Sequence, residues 1–260
     1  MFRAILQMTQ KQLFNYLIDE LKEKDYNIII GKTNVTNENE YIAAEGNIPV
    51  VLIAHLDTVF NDESRNEMEI YHDTEQGVWW SPNGLGADDR AGVYMILQIL
   101  EQTKLRPHIL FTTDEETIAT GADAVASIKN KLFKEVSYVI ELDRKGYQEA
   151  VYYDCDNKQF EAYINSFGFH TEDGTFTDIS IICPKWEVAG VNLSVGYFWE
   201  HSYVEHFYSV FWYDTLKKVI KILEDKNGYK QVWKYIPKQY EIKEKQNNGK
   251  GRDRKGQCGK

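Results

Sequence analysis

The sequence predicts an α/β fold, a three-layer sandwich around a mostly parallel, mixed sheet. Two observations carry that expectation. First, several short runs are continuously apolar and rich in β-branched residues, "IPVVLIAHLDTVF" above all, as strands buried on both faces require. Second, these runs alternate with segments whose apolar residues recur at helical spacing, the pattern of helices covering both faces of a sheet. A chain of 260 residues with 43% hydrophobic and 27% charged residues is long enough to bury a sizeable core.

In chain order, "MFRAILQMTQKQLFNYLIDELKE" reads as one amphipathic helix, and "YNIII" and "YIAAEG" as short strands. The buried strand "IPVVLIAH" follows, then a hairpin-like excursion, "EIYHDTEQGVWWSPNG". Residues 89–103 form a helix, "RPHILFTTDEE" a buried strand, and "TGADAVASIKNKLF" a helix. "EVSYVIELDR" and "EAVYYD" are strands, and "NKQFEAYINSFG" is a helix closed by Gly168. "ISIICP" fits either a helix or a strand, "AGVNLSVGYFWEH" is strand-like, and 203–226 is a long helix. No repeat and no Pro- or Ser-rich linker divides the chain, so one domain is expected over 1–242, with a basic, disordered tail at 243–260.

Charge is unevenly spread. Residues 226–260 carry 11 Lys+Arg against 3 Asp+Glu, so the body over 1–225 stands near −18 and the C-terminal stretch near +8. An acidic body argues against binding a nucleic-acid backbone, leaving only the tail as a weak contact for one. No apolar run reaches membrane-spanning length, and the N-terminal stretch lacks the apolar core and cleavage site of an export signal. Three cysteines (155, 183 and 258) do not make a disulfide framework, which fits a reducing cytoplasm.

The buried runs share a chemical feature. They end in His55 and Asp57, in Asp114, Glu115 and Glu116, in Asp143, and in Glu200 and His201. In open α/β sheets ligands bind beyond the carboxyl ends of strands. The same edge receives "GLGADDRAG", residues 84–92, with Asp88 and Asp89 side by side at a helix start. Desolvated carboxylates this numerous demand positive charge. Histidines and carboxylates are the donor set of zinc, cobalt or manganese, and two metals sharing one carboxylate would neutralise the cluster. Singly, each residue also has a structural reading: Asp88 and Asp89, or Glu115 and Glu116, can cap a helix, and a strand-end histidine can simply pack.

"HLDTV", "GLGADDRAG", "TTDEE", "ELD" and "HSYVE" together resemble, in order and spacing, the motifs of the co-catalytic di-zinc metallopeptidases. That superfamily includes peptidase T, the aminoacylases and the leucyl and deblocking aminopeptidases. The resemblance covers roughly residues 50 to 210 and implies a zinc-exopeptidase-like fold. It implies that Asp88 bridges two metals, that His55 and Asp143 complete one, and that Glu116 and His201 complete the other. Glu115 then resembles the general base acting on the metal-bridged water, and Asp57 the residue that orients the His55 imidazole. The Asp88–Asp89 peptide is expected to be cis. "GTFTDIS" at 174–180 resembles the segment that precedes the last ligand in several of these enzymes. Glu205 matches the family's acidic position after the last ligand, where a structural role is expected, although it and His206 also read as surface or capping residues. Nearness to the motifs in sequence, and that alone, marks Arg90, Arg144 and Tyr203 as residues that could approach substrate.

The inserted domains of the family have no room here. Asp143 stands 35 residues before Asp178, and His55 stands 33 before Asp88. The implied activity is hydrolysis of amide bonds in small peptides by an exopeptidase, most simply an aminopeptidase. A deacylase acting on a non-peptide amide would share the same centre, and a non-catalytic metal-bound binding module is the reading from another class. Oligomeric state is not legible. Because residues 243–260 offer no apolar face to bury, deleting them should leave the melting temperature and the turnover nearly unchanged. A large loss of either in a deletion variant would show that the tail docks on the body.

Overall fold

The computed structural model describes residues 1–32 and 39–239, and the tail expected from 243 onward lies outside them. The N-terminal segment is two helices, α1 (Phe2–Gln7) and α2 (Gln10–Glu23), where the sequence suggested one. The break is a capping box. Thr9 Oγ1 accepts from the Gln12 amide at 3.2 Å while Gln12 Oε1 accepts from the Thr9 amide at 2.9 Å, so a new helix starts at that point.

Strands β1 (Asn27–Lys32), β2 (Asn39–Glu45) and β3 (Ile48–His55) follow, then the hairpin of β4 (Tyr71–Asp73) and β5 (Val78–Trp80). Helix α3 (Ala87–Gln102) leads to β6 (Pro107–Thr112). The single helix expected from "TGADAVASIKNKLF" divides into α4 (Thr120–Ala126) and α5 (Lys129–Leu132), interrupted at Ser127 and Ile128, both weaker helix formers than the alanines before them. Strands β7 (Tyr138–Arg144) and β8 (Glu149–Val151), helix α6 (Lys158–Asn165) and strand β9 (His170–Glu172) come next. The ambiguous "ISIICP" is helical, within α7 (Asp178–Trp186).

The last segments depart most from expectation. "AGVNLSVGYFWEH" is two strands, β10 (Gly190–Ser194) and β11 (Tyr197–Phe198), separated by a turn at Val195 and Gly196. The helix expected over 203–226 begins only at Ser209. Before it, β12 (His206–Tyr208) buries Phe207 between two partly exposed neighbours, a two-residue period, and α8 (Ser209–Glu224) follows.

The main sheet has eight strands in the order β1-β2-β6-β3-β7-β10-β8-β9. Its centre is parallel: β3 pairs with β6 and β7, and β7 with β10. Antiparallel pairs β1–β2, β2–β6 and β10–β8 make the sheet mixed. Helices lie on both sides, with α3 packed on α8 and α4 on α7. A second, antiparallel sheet runs β11-β12-β5-β4 and joins the hairpin to the late segment around residue 200. Register sets the carboxyl ends of the central strands level, since His55 at the end of β3 is opposite Thr112 at the end of β6. After α8, residues 229–237 return over the body through bridges of Lys234 to Val188 and Pro237 to Cys155, with Trp233 against Phe160 and Tyr163. No helix among the described residues is long and apolar enough to cross a membrane.

Trp212 ties α8 to the helix that begins at the paired aspartates. It is buried, stacks on Tyr94 with ring centroids 4.5 Å apart, and donates through Nε1 to the Ala91 carbonyl at 3.0 Å. Trp212→Ala should therefore cost about 3–5 kcal/mol in urea unfolding. A loss below about 1 kcal/mol would mean that the α3–α8 junction does not depend on this ring.

Candidate metal centre

The strand ends bring His55, Asp57, Asp143 and, just past β6, Glu115 and Glu116 to one edge of the sheet. Asp88 enters from the start of α3, where Asp88 and Asp89 have non-helical backbone angles and the peptide between them is cis, as the resemblance implied. Gly92 lets the helix come this close to the sheet. A Cβ there would be 2.0 Å from the Leu142 carbonyl and 2.5 Å from Asp89 Oδ1. His201 arrives from the loop between β11 and β12 and is about half exposed.

Asp88 stands between the two histidines. Its Oδ1 is 3.2 Å from His55 Nε2, and its Oδ2 is 3.1 Å from His201 Nε2. Asp143 Oδ1 is 3.5 Å from the same His55 nitrogen, and Glu116 Oε2 is 3.0 Å from the same His201 nitrogen. Two trios thus converge, one on each oxygen of a single carboxylate. The five residues that the motifs singled out as ligands come together, and His55, Asp88 and Glu116 also offer atoms within 4.8 Å of one another. Asp89 also offers an oxygen within 4.8 Å of His55 and Asp143 ligand atoms. Both of its oxygens, however, accept backbone amides, from His55 at 3.2 Å and Gly92 at 3.0 Å, so Asp89 pins the helix start to the strand end.

The surrounding groups hold these side chains in place. Asp57 Oδ1 is 3.3 Å from His55 Nδ1, which fits its expected role in orienting the ring. It does more, since its two oxygens accept the amides of Glu115 (3.1 Å) and Glu116 (3.0 Å) and so fix the turn that carries both. Asp143 receives the Thr177 hydroxyl at 3.1 Å and the Tyr197 phenol at 3.0 Å, and Asn192 pairs with its backbone. Of "GTFTDIS", Thr177 touches the site, whereas Asp178 accepts a hydrogen bond from Thr112.

Several expectations from sequence are corrected. Glu205 is not a surface residue; it is 1% exposed and accepts the amides of Gly86 and Asp88. Arg90 turns away from the site to the carbonyls of Ile5 and Met8. Arg144 donates to the Asp173 carbonyl, and Tyr203 is 71% exposed, in ring contact with Phe60. Tyr197, Asn192 and Arg65 left no signal in the sequence, because a single polar group inside a short strand or turn has no periodicity to mark it.

Electrostatics set the terms for what the cluster can hold. Burial alone would lower the His55 pKa, yet Asp143, Asp57 and Asp88 raise it well above the usual range. Asp88 and Glu116 push His201 up to about 11. Burial would raise Asp88, but the two histidines hold it below the usual range. Asp143 is pushed up to about 7 by burial and by Asp88, and Glu115 to about 8, first by burial and then by neighbouring carboxylates. Without cations the cluster would gather protons to offset its negative charge. Glu116 Oε1 is buried without a protein partner, as a ligand oxygen awaiting a cation would be. Imidazole nitrogens with carboxylate oxygens suit zinc and related divalent ions, so the residues fit the metals that the motifs imply.

With the geometry in place, comparisons with known proteins agree. The fold matches the aminopeptidase PepT of Bacillus cereus at TM-score 0.69 and 14% identity, covering 86% of this chain and 96% of that one. It matches a Staphylococcus aureus tripeptidase at TM-score 0.70 and 13% identity, covering 88% and 97%. A glutaminyl cyclase of Porphyromonas gingivalis matches at TM-score 0.60 and 14% identity, covering 86% and 94%. No curated protein sequence matches the chain. At the level of sequence, residues 29–175 match the pattern of peptidase family M28, a run that holds every site residue named above up to Asp143. The chain belongs to peptidase family M28, and it is a metal-dependent peptidase.

Proposed function

We propose that this peptidase is a two-metal exopeptidase, an aminopeptidase acting on small peptides. The observation that carries the reading is the placement of Asp88, whose oxygens face two histidines, each with its own second carboxylate. His55, Asp143 and Asp88 would hold one ion, and His201, Glu116 and Asp88 the other. Divalent ions there supply Lewis acidity toward a scissile carbonyl.

The remaining work falls to the chain's own groups. Glu115 belongs to neither trio, so its carboxyl is free to take a proton from water and return it to the leaving nitrogen. Burial and neighbouring carboxylates hold it at about 8, and bound cations would draw it down toward neutrality, where a base works best at pH 7. Asp57 keeps Glu115 in place through its backbone amide and steadies His55 from the other side. The aminopeptidase and tripeptidase among the similar folds support a peptide over another amide.

Zinc titration of chelator-stripped protein should reach two equivalents, and Asp88→Ala should lose both. Binding must displace protons from Asp143, His55 and His201, whose affinity for protons is raised in the metal-free site. Apparent zinc affinity should therefore increase with pH from about 6 upward and go on rising past 8, since Asp143 gives up its proton near 7 and His201 only near 11, with proton release seen calorimetrically in buffers of different ionisation enthalpy. One equivalent in saturating zinc, or an Asp88→Ala protein that still binds two, defeats the bridging assignment.

Glu115→Gln should separate chemistry from binding, because the amide keeps shape and metals but accepts no proton. Turnover should drop about 10²–10⁴-fold with KM little changed. Glu116→Gln should instead lower metal occupancy. An active Glu115→Gln beside a dead, fully metallated Glu116→Gln would show the two roles reversed.

A further inference from the structure

The loop that delivers Asp88 is gripped from two sides by buried, fork-shaped side chains, one donating and one accepting. Arg65, 2% exposed, donates through Nη1 to the Gly84 carbonyl at 3.3 Å and through Nη2 to the Leu85 carbonyl at 2.6 Å. Glu205, 1% exposed, accepts the Gly86 amide at 2.6 Å on one oxygen and the Asp88 amide at 3.0 Å on the other. Four backbone groups between residues 84 and 88 are thereby held by two side chains from distant parts of the sequence. Gly86, with φ of +67°, leaves no slack, since a Cβ there would be 2.8 Å from Arg65 Nη2 and 2.9 Å from Thr58 Cγ2.

Arg65 is itself anchored. Its Nε and Nη2 donate to the Leu6 carbonyl at 3.0 and 2.6 Å, and Arg90 donates to the carbonyls of Ile5 and Met8, both at 3.1 Å. These carbonyls lie at and just past the C-terminal end of α1, where the Ile5 carbonyl also accepts the Met8 amide and the last turn carries no basic residue to donate to the others. A helix of six residues is too short to persist alone and depends on such contacts. The anchoring therefore runs from α1 through Arg65 to the loop, and from Glu205 to the amide of Asp88 itself.

We propose that Arg65 and Glu205 are positioning residues of the metal centre, a clamp anchored on the N-terminal helix that sets Asp88 between its two histidines. The clamp rests on the reading of Asp88 as a shared metal ligand. Both partners must be forks to do this. Only a guanidinium spans two loop carbonyls and Leu6 together, and only a carboxyl group presents two oxygens to two amides.

The test compares zinc affinity and melting temperature for wild type, Glu205→Gln and Arg65→Lys, each stripped with chelator and then titrated with zinc. Glu205→Gln turns one acceptor toward the loop into a donor; Arg65→Lys keeps the charge but loses the fork. Each should weaken zinc binding about 10–100-fold, the usual effect of altering a group that orients a ligand. The rise in melting temperature on zinc addition should shrink accordingly. A purely structural role would instead lower the stripped and loaded melting temperatures equally and leave affinity within twofold of wild type, and that result overturns the clamp. Arg65→Lys provides the measurement should Glu205→Gln fail to fold. Wild-type protein that takes up no zinc would defeat the metal-centre reading itself, so the two failures are distinguishable.

Discussion

Negative charge buried at the carboxyl edge of the sheet is the constraint around which this molecule is organised. Asp88, Asp89, Asp143 and Glu116 are all removed from bulk water, where an unpaired carboxylate is costly. Each is met by something specific. Asp89 accepts two backbone amides while burial pushes it toward its protonated form, Asp57 accepts the amides of the 115–116 turn, and Asp143 accepts a threonine and a tyrosine hydroxyl. What remains unmet points to one place, between His55 and His201. Backbone dipoles and hydroxyls are distributed so that the deficit is concentrated there, which is how a fold reserves a site for cations without a cavity made for the purpose.

The architecture explains why these residues can meet. Parallel pairing of β3, β6 and β7 sets their carboxyl ends level, so side chains more than fifty residues apart reach the same edge. The second sheet performs a different task. By pairing β12 with β5 it draws the segment around residue 200 toward the hairpin that precedes α3, and His201 comes with it. Each sheet thus contributes part of one centre: the main sheet supplies His55, Asp143 and Glu116, and the small sheet supplies His201.

How much of this was legible in the sequence follows from how each part is encoded. The buried strands showed themselves because both faces are apolar, and the clustered site residues because His and acidic residues end those strands. Helix starts set by local hydrogen bonds were less visible, as at Thr9, where a short polar motif divides an unbroken amphipathic pattern. The region after Ser194 was misread because aromatic residues there serve a two-residue period over three positions, too few to outweigh the helical pattern that follows. Glu205 illustrates the limit most clearly. Its charge suggested the surface, but its two partners are backbone amides more than a hundred residues away, and a backbone partner leaves no trace in residue type.

The pairing of β5 with β12 also bears on the order of events during folding. Trp79 and Phe207, register partners in that small sheet, are separated by about half the chain, and closing such a loop earns no contacts until both ends arrive. The β3, β6 and β7 core has shorter separations and can form earlier, leaving His55, Glu116 and Asp143 assembled beside a missing fourth wall. His201 is then the last of the clustered residues to arrive, and the two sides of Asp88 face their histidines only once the small sheet has closed.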